Sequence, residues 1–318
     1  MCTRLKTGPT IKSWRLLILL IAFWLYFPIG LTARADQAAP PTPSERQAEL
    51  RAAWSAAVPA ATWGPARVKL LDQASIDLSD DQAFIPAAQT DRIMRALGNG
   101  SDRLTYGLIV SRRSDAHWMI LIRWINDGYV RDGDAKDWQA DVLLQNLRES
   151  TEIGNQDRAR MGLPALDIVG WVEPPTYDGN AHRLVWSLAA REHDAPTGQP
   201  QTVNYNTYAL GRTGYFSLNL ITDSSAVTTD KLVVRQLLST LHYSPGKRYQ
   251  DFDESTDRVA TYGLAALIGA VAVKKLGLLA LTGLFFVKMW KLCLVAVVGA
   301  TAAIRRFLNR PAQSPERP

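Results

Sequence analysis

The chain has 318 residues, 47% of them hydrophobic, with 36 Lys and Arg against 30 Asp and Glu, for a formal charge of +6; that is enough apolar chain for one good-sized packed domain. The charge divides by region: residues 1–35 hold five basic and no acidic side chains, residues 274–318 hold eight basic and one acidic, and the 23 basic and 29 acidic side chains between them leave the middle at about −6. That sign argues against a nucleic-acid partner, and since Cys2 and Cys293 both fall in the ends, disulfides, Cys-ligated zinc and a Cys nucleophile are excluded for the middle.

In chain order, Arg4, Lys6, Lys12 and Arg15 precede an apolar run over 16–27, followed by Pro28, Gly30 and Ala33-Arg34-Ala35. This is the layout of a secretory signal peptide over 1–35 with a mature start at Asp36; an uncleaved anchor over 16–31 is the competing reading, and either one exports the domain behind it. Residues 36–62 are an Ala/Pro-rich linker in which Pro40, Pro41 and Pro43 precede a short helix over 45–57, with Leu50 and Trp54 on one face. A compact domain is expected over 63–255.

Within that domain the pattern predicts strands at 67–78 and 83–86, a helix at 90–97, and a hairpin of 106–111 with 118–124 in which Trp118, Ile120, Ile122 and Trp124 share a face. Gly128-Tyr129-Val130 begins an extended piece. The longest helix is expected over 134–152, with Asp134 as its N-cap, Asp137 in its first turn, and Ala140, Leu144, Leu147 and Thr151 on one face. Further strands are expected at 166–172, 183–190, 202–209 and 214–222, the last with Phe216, Leu218 and Leu220 on one side. A helix over 229–242 carries Val234, Leu237, Leu238 and Leu241 at helical spacing. Adjacent strands with unevenly placed helices predict an α+β fold, a largely antiparallel sheet with flanking helices in an α/β sandwich, rather than a doubly wound parallel sheet.

Residues 256–306 are three apolar pieces interrupted by Lys274-Lys275 and by Lys288 and Lys291, and they end at Arg305-Arg306. No piece reaches the roughly 20 residues of an ideal span. One crossing, at about 259–275 or 276–304, with a basic cytoplasmic tail over 307–318, satisfies the preference of Lys and Arg for the cytoplasmic side.

Four histidines, His117, His182, His193 and His242, limit the chemistry. Asp178 with His182 four residues later suggests an acid–base pair or a ligand pair, against a plain reading in which Asp178-Gly179-Asn180 is a turn and His182 opens a strand. Pro174-Pro175 reads as a corner with Trp171 and Tyr177 packed around it. Arg212, between Gly211 and Gly214, is a candidate for binding an anion or carboxylate bidentately, or for pairing with a nearby acid. Asn204, Asn206 and Tyr208 present polar groups on one side of a strand. Asp132, Asp134, Asp137 and Asp141 resemble a calcium loop, but the fifth and sixth positions counted from Asp132 are Lys136 and Asp137, so the match fails. No phosphate loop, Gly-x-Ser-x-Gly, His-Glu-x-x-His or dinucleotide fingerprint occurs in the exported part.

Several motifs occur in order: Gly128-Tyr129-Val130, Asn155, Gly162-Leu163-Pro164, Gly170-Trp171, Pro174-Pro175, Tyr177-Asp178, Asn204-Tyr205-Asn206, Leu210-Gly211-Arg212-x-Gly214, Gly246 with Tyr249, and Tyr262-Gly263. Together, over residues 63–275, they resemble the DUF2167 family, described as membrane-anchored bacterial proteins of unknown function. That resemblance implies a membrane anchor and carries over no catalytic residue. The final strand and helix with Gly246-Lys247-Arg248-Tyr249 are also similar to the α/β sandwich of PsbP-like and Mog1-like proteins, as fold analogy alone. The expectation is a bacterial inner-membrane protein with its main domain in the periplasm, acting in binding or assembly with an envelope partner or with itself, without metal or cofactor. The rivals are an envelope hydrolase using Asp178, His182 and Arg212, with Tyr177, Asn204 and Asn206 as further binding candidates, and a subunit of a membrane complex acting through residues 256–306.

Overall fold

The computed structural model describes residues 41–135, 138–196 and 198–268. The expected signal peptide over 1–35, the hydrophobic region beyond residue 268 and the tail over 307–318 lie outside the described residues. Among those described, no helix is long and apolar enough to cross a membrane.

One eight-stranded sheet organises the domain. Its order is β1 (Thr62–Trp63), β4 (Gln82–Pro86), β5 (Thr105–Ser111), β6 (Met119–Ile125), β10 (Tyr215–Asp223), β9 (Thr202–Leu210), β8 (Arg183–Glu192) and β7 (Leu166–Asp178). Every neighbouring pair is antiparallel. A second sheet of β11 (His242–Tyr243), β3 (Ala74–Leu78) and β2 (Ala66–Leu70) packs on one face together with α4 (Val227–Ser239). The period of two explains the layering. Trp118, Ile120, Ile122, Phe216, Leu218 and Leu220 point into that layer beside Val68, Leu70, Ile76, Val234, Leu237 and Leu238. Leu108, Met119, Leu121 and Ile221 point the other way, under α1 (Pro43–Ala57) and α2 (Ala87–Ala96), while Leu184, Trp186, Leu188 and Tyr208 meet α3 (Ala140–Arg160). The α+β class with a large antiparallel sheet and flanking helices is therefore what the chain adopts.

Three local expectations are corrected. The single strand over 67–78 is a hairpin, broken where Leu71 takes φ +57° and Gln73 N donates to Leu70 O at 3.2 Å. The long helix begins six residues late, at Ala140, and runs to Arg160, burying Leu143, Leu147, Thr151, Gly154 and Arg158; it stops at Gly162, whose φ of +65° is the left-handed conformation that ends helices. Pro174-Pro175 is no corner: both lie inside the 13-residue β7, which is tolerated because β7 is an edge strand with irregular register at Ile168/Gly170, Trp171/Glu173 and Glu173/Thr176. The start of that edge is covered by α3. Asn155 pairs with both backbone groups of Leu166, at 2.8 and 3.0 Å, as a strand residue would, and Arg148 donates to Ile168 O and Val169 O at 3.4 and 3.1 Å.

Near the start of α4, Asp230 is buried and accepts the Thr222 hydroxyl at 2.5 Å. Burial raises its pKa above the ordinary aspartate value, partly offset by that hydrogen bond. A carboxyl raised in the folded state favours folding below the unfolded-state pKa, and this contribution is lost as pH climbs through the folded value. Asp230→Asn is expected to flatten the pH dependence of urea stability across that acid window, since the amide oxygen still accepts from Thr222.

Candidate functional site

Antiparallel register brings five strand ends together: Ile125 faces Tyr215, Tyr215 faces Leu210, Ala209 faces Arg183, and Arg183 faces Asp178. The loop 126–135, the turn 179–182, the turn 211–214 and the segment 244–268 gather at this end of the sheet.

The 244–268 segment lies across it as a strap. Gly128 has φ +101°, and a Cβ there would come within 2.5 Å of Arg258 O, so only glycine permits the approach. Next to it, Tyr129 N donates to Arg258 O and Ala260 N donates to Tyr129 O, both at 2.8 Å. Gly211 and Gly214 allow equally close passages, against the Tyr243 ring and Ile125 O. Arg212 makes a two-pronged ion pair with Asp257 at 2.7 and 3.0 Å and donates to Gly246 O at 3.3 Å. The guanidinium holds the Asp257 carboxyl below the ordinary aspartate range. The Tyr262 hydroxyl donates to Asp127. Beyond it, Leu264, Leu267 and Ile268 are buried with Leu143, Leu147 and Tyr249.

Asp134 caps a different helix from the one its position suggests. Its two carboxylate oxygens accept from Leu264 N at 2.9 Å and Ala265 N at 3.1 Å, capping the helical turn that opens at Leu264 rather than α3. Gly263 leaves the room: a Cβ there would meet the Asp134 carboxylate at 2.4 Å. Asp134→Ala is expected to cost about 1 kcal/mol, visible as faster hydrogen exchange at Leu264 and Ala265 with little change elsewhere.

Under the strap lies a polar and aromatic cluster. Tyr177 Oη donates to Asp132 Oδ2 at 2.8 Å and lies 3.3 Å from His182 Nδ1, and His182 Nδ1 is 3.9 Å from the same Asp132 oxygen. With the phenol proton given to Asp132, the imidazole meets Tyr177 as an Nδ1–H donor. Burial first, and Asp132 second, push the Tyr177 phenol well above its usual range. His182 has φ +49°, uncommon for any residue but glycine. Its ring stacks on Tyr249 at 4.1 Å, Tyr249 on Tyr129 at 4.4 Å, and Tyr129 on Phe252 at 3.8 Å, a four-ring pile joining strap, loop and turn. Tyr249 Oη donates to Val130 O at 2.9 Å.

The sequence candidates thus take different places. Tyr177 and His182 come together and recruit Asp132. Asp178 Oδ1 accepts from Asn180 N and Ala181 N at 2.9 and 3.2 Å, closing the turn. No hydrogen bond or ion pair joins Asp178, His182 and Arg212 to one another among the described residues. Asn204 accepts from Asn219 at 3.1 Å, and Asn206 lies buried in mid-strand, four residues from the Leu210 end. Asp132, Tyr129 and Tyr249 are members that no catalytic spacing in the sequence marks. The only signal for them was membership in the ordered motifs or in the rejected calcium loop.

The model that defines the family described as "Protein of unknown function (DUF2167)" matches residues 62–298. The chain belongs to the DUF2167 family. No curated protein matches the sequence. Among solved structures, this DUF2167 chain is similar to cyanobacterial PsbP (CyanoP) from Synechocystis sp. PCC 6803, at 10% identity over 56% of this chain and 92% of that one, with a TM-score of 0.33. It is also similar to the Ran-binding protein Mog1p of Saccharomyces cerevisiae, at 9% identity over 60% and 100%, with a TM-score of 0.30. At these scores the likeness is too slight to carry anything over from either protein.

Proposed function

We propose that this DUF2167 protein is a membrane-anchored module of the bacterial cell envelope, its domain in the periplasm, with a binding or assembly role rather than a catalytic one. One observation carries the reading: several of the motif residues at the sheet end hold residues 244–268 in place. Gly128, Tyr129 and Arg212 contact or make room for the strap, and within the strap Tyr262 bonds Asp127 while Gly263 admits the Asp134 cap. The chain leaves the domain from that strap toward the apolar tract read in the sequence beyond residue 268. A fixed departure point suits a domain that must be presented from an anchor, and the basic side chains at both ends of the chain support a membrane setting.

A hydrolase built on Asp178, His182 and Arg212 is the weaker reading, since Asp178 closes its own turn and Arg212 is committed to Asp257. The test is co-purification from a mild detergent extract of the full-length chain, beside a version whose residues 1–268 are joined to an unrelated anchor. Truncating at Arg258 instead would strip Leu264, Leu267 and Ile268 from the core. Recovery of the same envelope protein with both forms supports recognition by the domain. Recovery with the natural tail alone would move the function to the hydrophobic region, and fractionation with the soluble cytoplasm would end the proposal.

A further inference from the structure

Three donor atoms of different chemistry meet at the sheet end: a phenol oxygen, a carboxylate oxygen and an imidazole nitrogen. The triangle of Tyr177 Oη, Asp132 Oδ2 and His182 Nδ1 has edges of 2.8, 3.3 and 3.9 Å, and the circle through its corners has a radius of about 2.0 Å. A single point in or just above that plane is therefore about 2.0–2.2 Å from all three atoms, which is the length of metal–nitrogen and metal–oxygen bonds at transition-metal sites. Among the described residues no group of three or more His, Cys, Asp and Glu side chains is placed for a metal ion; this triangle differs by having tyrosine as its third member.

We infer that Asp132, Tyr177 and His182 form a three-donor site for a first-row transition-metal ion, ferric iron being the species a phenolate favours and zinc the alternative. Three features support the assignment beyond the triangle. The donors come from two pieces of chain, the 126–135 loop and the end of β7 with the 179–182 turn that follows it, which lie 45 residues apart and are brought together by the fold. His182 is held in a left-handed backbone conformation, and its ring is pinned face to face on Tyr249; such local strain collects at functional positions. The His182 and Asp132 side chains remain 26% and 36% exposed, which leaves an approach from solvent and room for water or a further ligand.

Binding is balanced by one proton. The Tyr177 O–H bond breaks and its oxygen bonds the metal, the His182 proton moves from Nδ1 to Nε2 so that Nδ1 can donate its lone pair, and Asp132 binds as the carboxylate it already is. The proton released goes to solvent. A bound cation makes this favourable because it stabilises the deprotonated oxygen at its own position. The inference stands apart from the envelope role: a domain that binds no partner can still hold the ion, and the reverse.

The test uses full-length protein in detergent, stripped with chelator, loaded separately with ferric citrate or zinc chloride, desalted, and assayed for metal per chain. Stoichiometric retention of either metal is expected, with a visible phenolate-to-iron charge-transfer band in the ferric sample. Tyr177→Phe should remove the band and weaken binding at least about tenfold, and His182→Asn should weaken it similarly. Asparagine at 182 tolerates the left-handed backbone, so the variant separates loss of the imidazole from loss of the turn. Retention of neither metal by the wild-type chain, or retention unchanged in both variants with unaltered melting, overturns the assignment and leaves the three side chains as a hydrogen-bonded brace.

Discussion

Phe216→Ala is expected to lower global stability by about 3–5 kcal/mol, more than any other substitution considered for this chain. Phe216 is fully buried near the centre of the layer between the two sheets. Its ring lies 4.6 Å from that of Trp124 and 5.8 Å from that of Tyr243, so the truncation removes the ring's transfer energy and opens a cavity that backbone on both sides cannot collapse to fill. Urea unfolding should show a lower midpoint at unchanged slope. A loss below about 1 kcal/mol would mean that the small sheet and α4 do not pack as a unit on the large sheet.

Gly128→Ala is expected to act locally instead, costing about 3 kcal/mol from the forbidden φ and the backbone contact together. The new Cβ would lie 2.5 Å from Arg258 O and 3.1 Å from Ala260 N, so the strap must rise to admit it. The expected readout is loss of hydrogen-exchange protection and new protease cleavage over residues 244–268, with the strands of the large sheet still protected. Uniform loss of protection throughout the domain would show that strap and sheet open as one cooperative unit.

The strand faces were legible in the sequence because period-two alternation is local: Trp118, Ile120, Ile122 and Trp124, and likewise Phe216, Leu218 and Leu220, needed only their own neighbours to be assigned a side. The start of α3 was not legible. Asp134 has the chemistry of an N-cap, but the amides it serves are those of Leu264 and Ala265, and no local pattern reveals a partner so far along the chain. The strap was hidden for a related reason, since Leu264, Leu267 and Ile268 are as apolar as the tract after them and were counted with it.

The site was half legible. Tyr177 and His182 are five residues apart at a turn and each was a candidate, but the sequence paired His182 with Asp178 instead. Asp132 is 45 residues from Tyr177, and its acid neighbours drew attention to a calcium loop that the spacing rejects. Arg212 could be read as needing an acid, but which acid was settled only when the strap brought Asp257 across.

The borrowed pairing between Asn155 and Leu166 carries a consequence for association. An open strand edge is a template on which another chain can lay itself. Here α3 fills the beginning of one edge with side-chain amide and guanidinium groups, the Pro174-Pro175 pair interrupts the main-chain donors of its strand farther along, and the opposite edge, β1, is only two residues long and is followed by Gly64 and Pro65. Both edges of the large sheet are thereby poor templates for growth into ribbons of its own copies. A partner of the kind proposed above is accordingly expected to meet the large sheet through side chains, on a face or at the strap end, rather than by main-chain pairing along its edges.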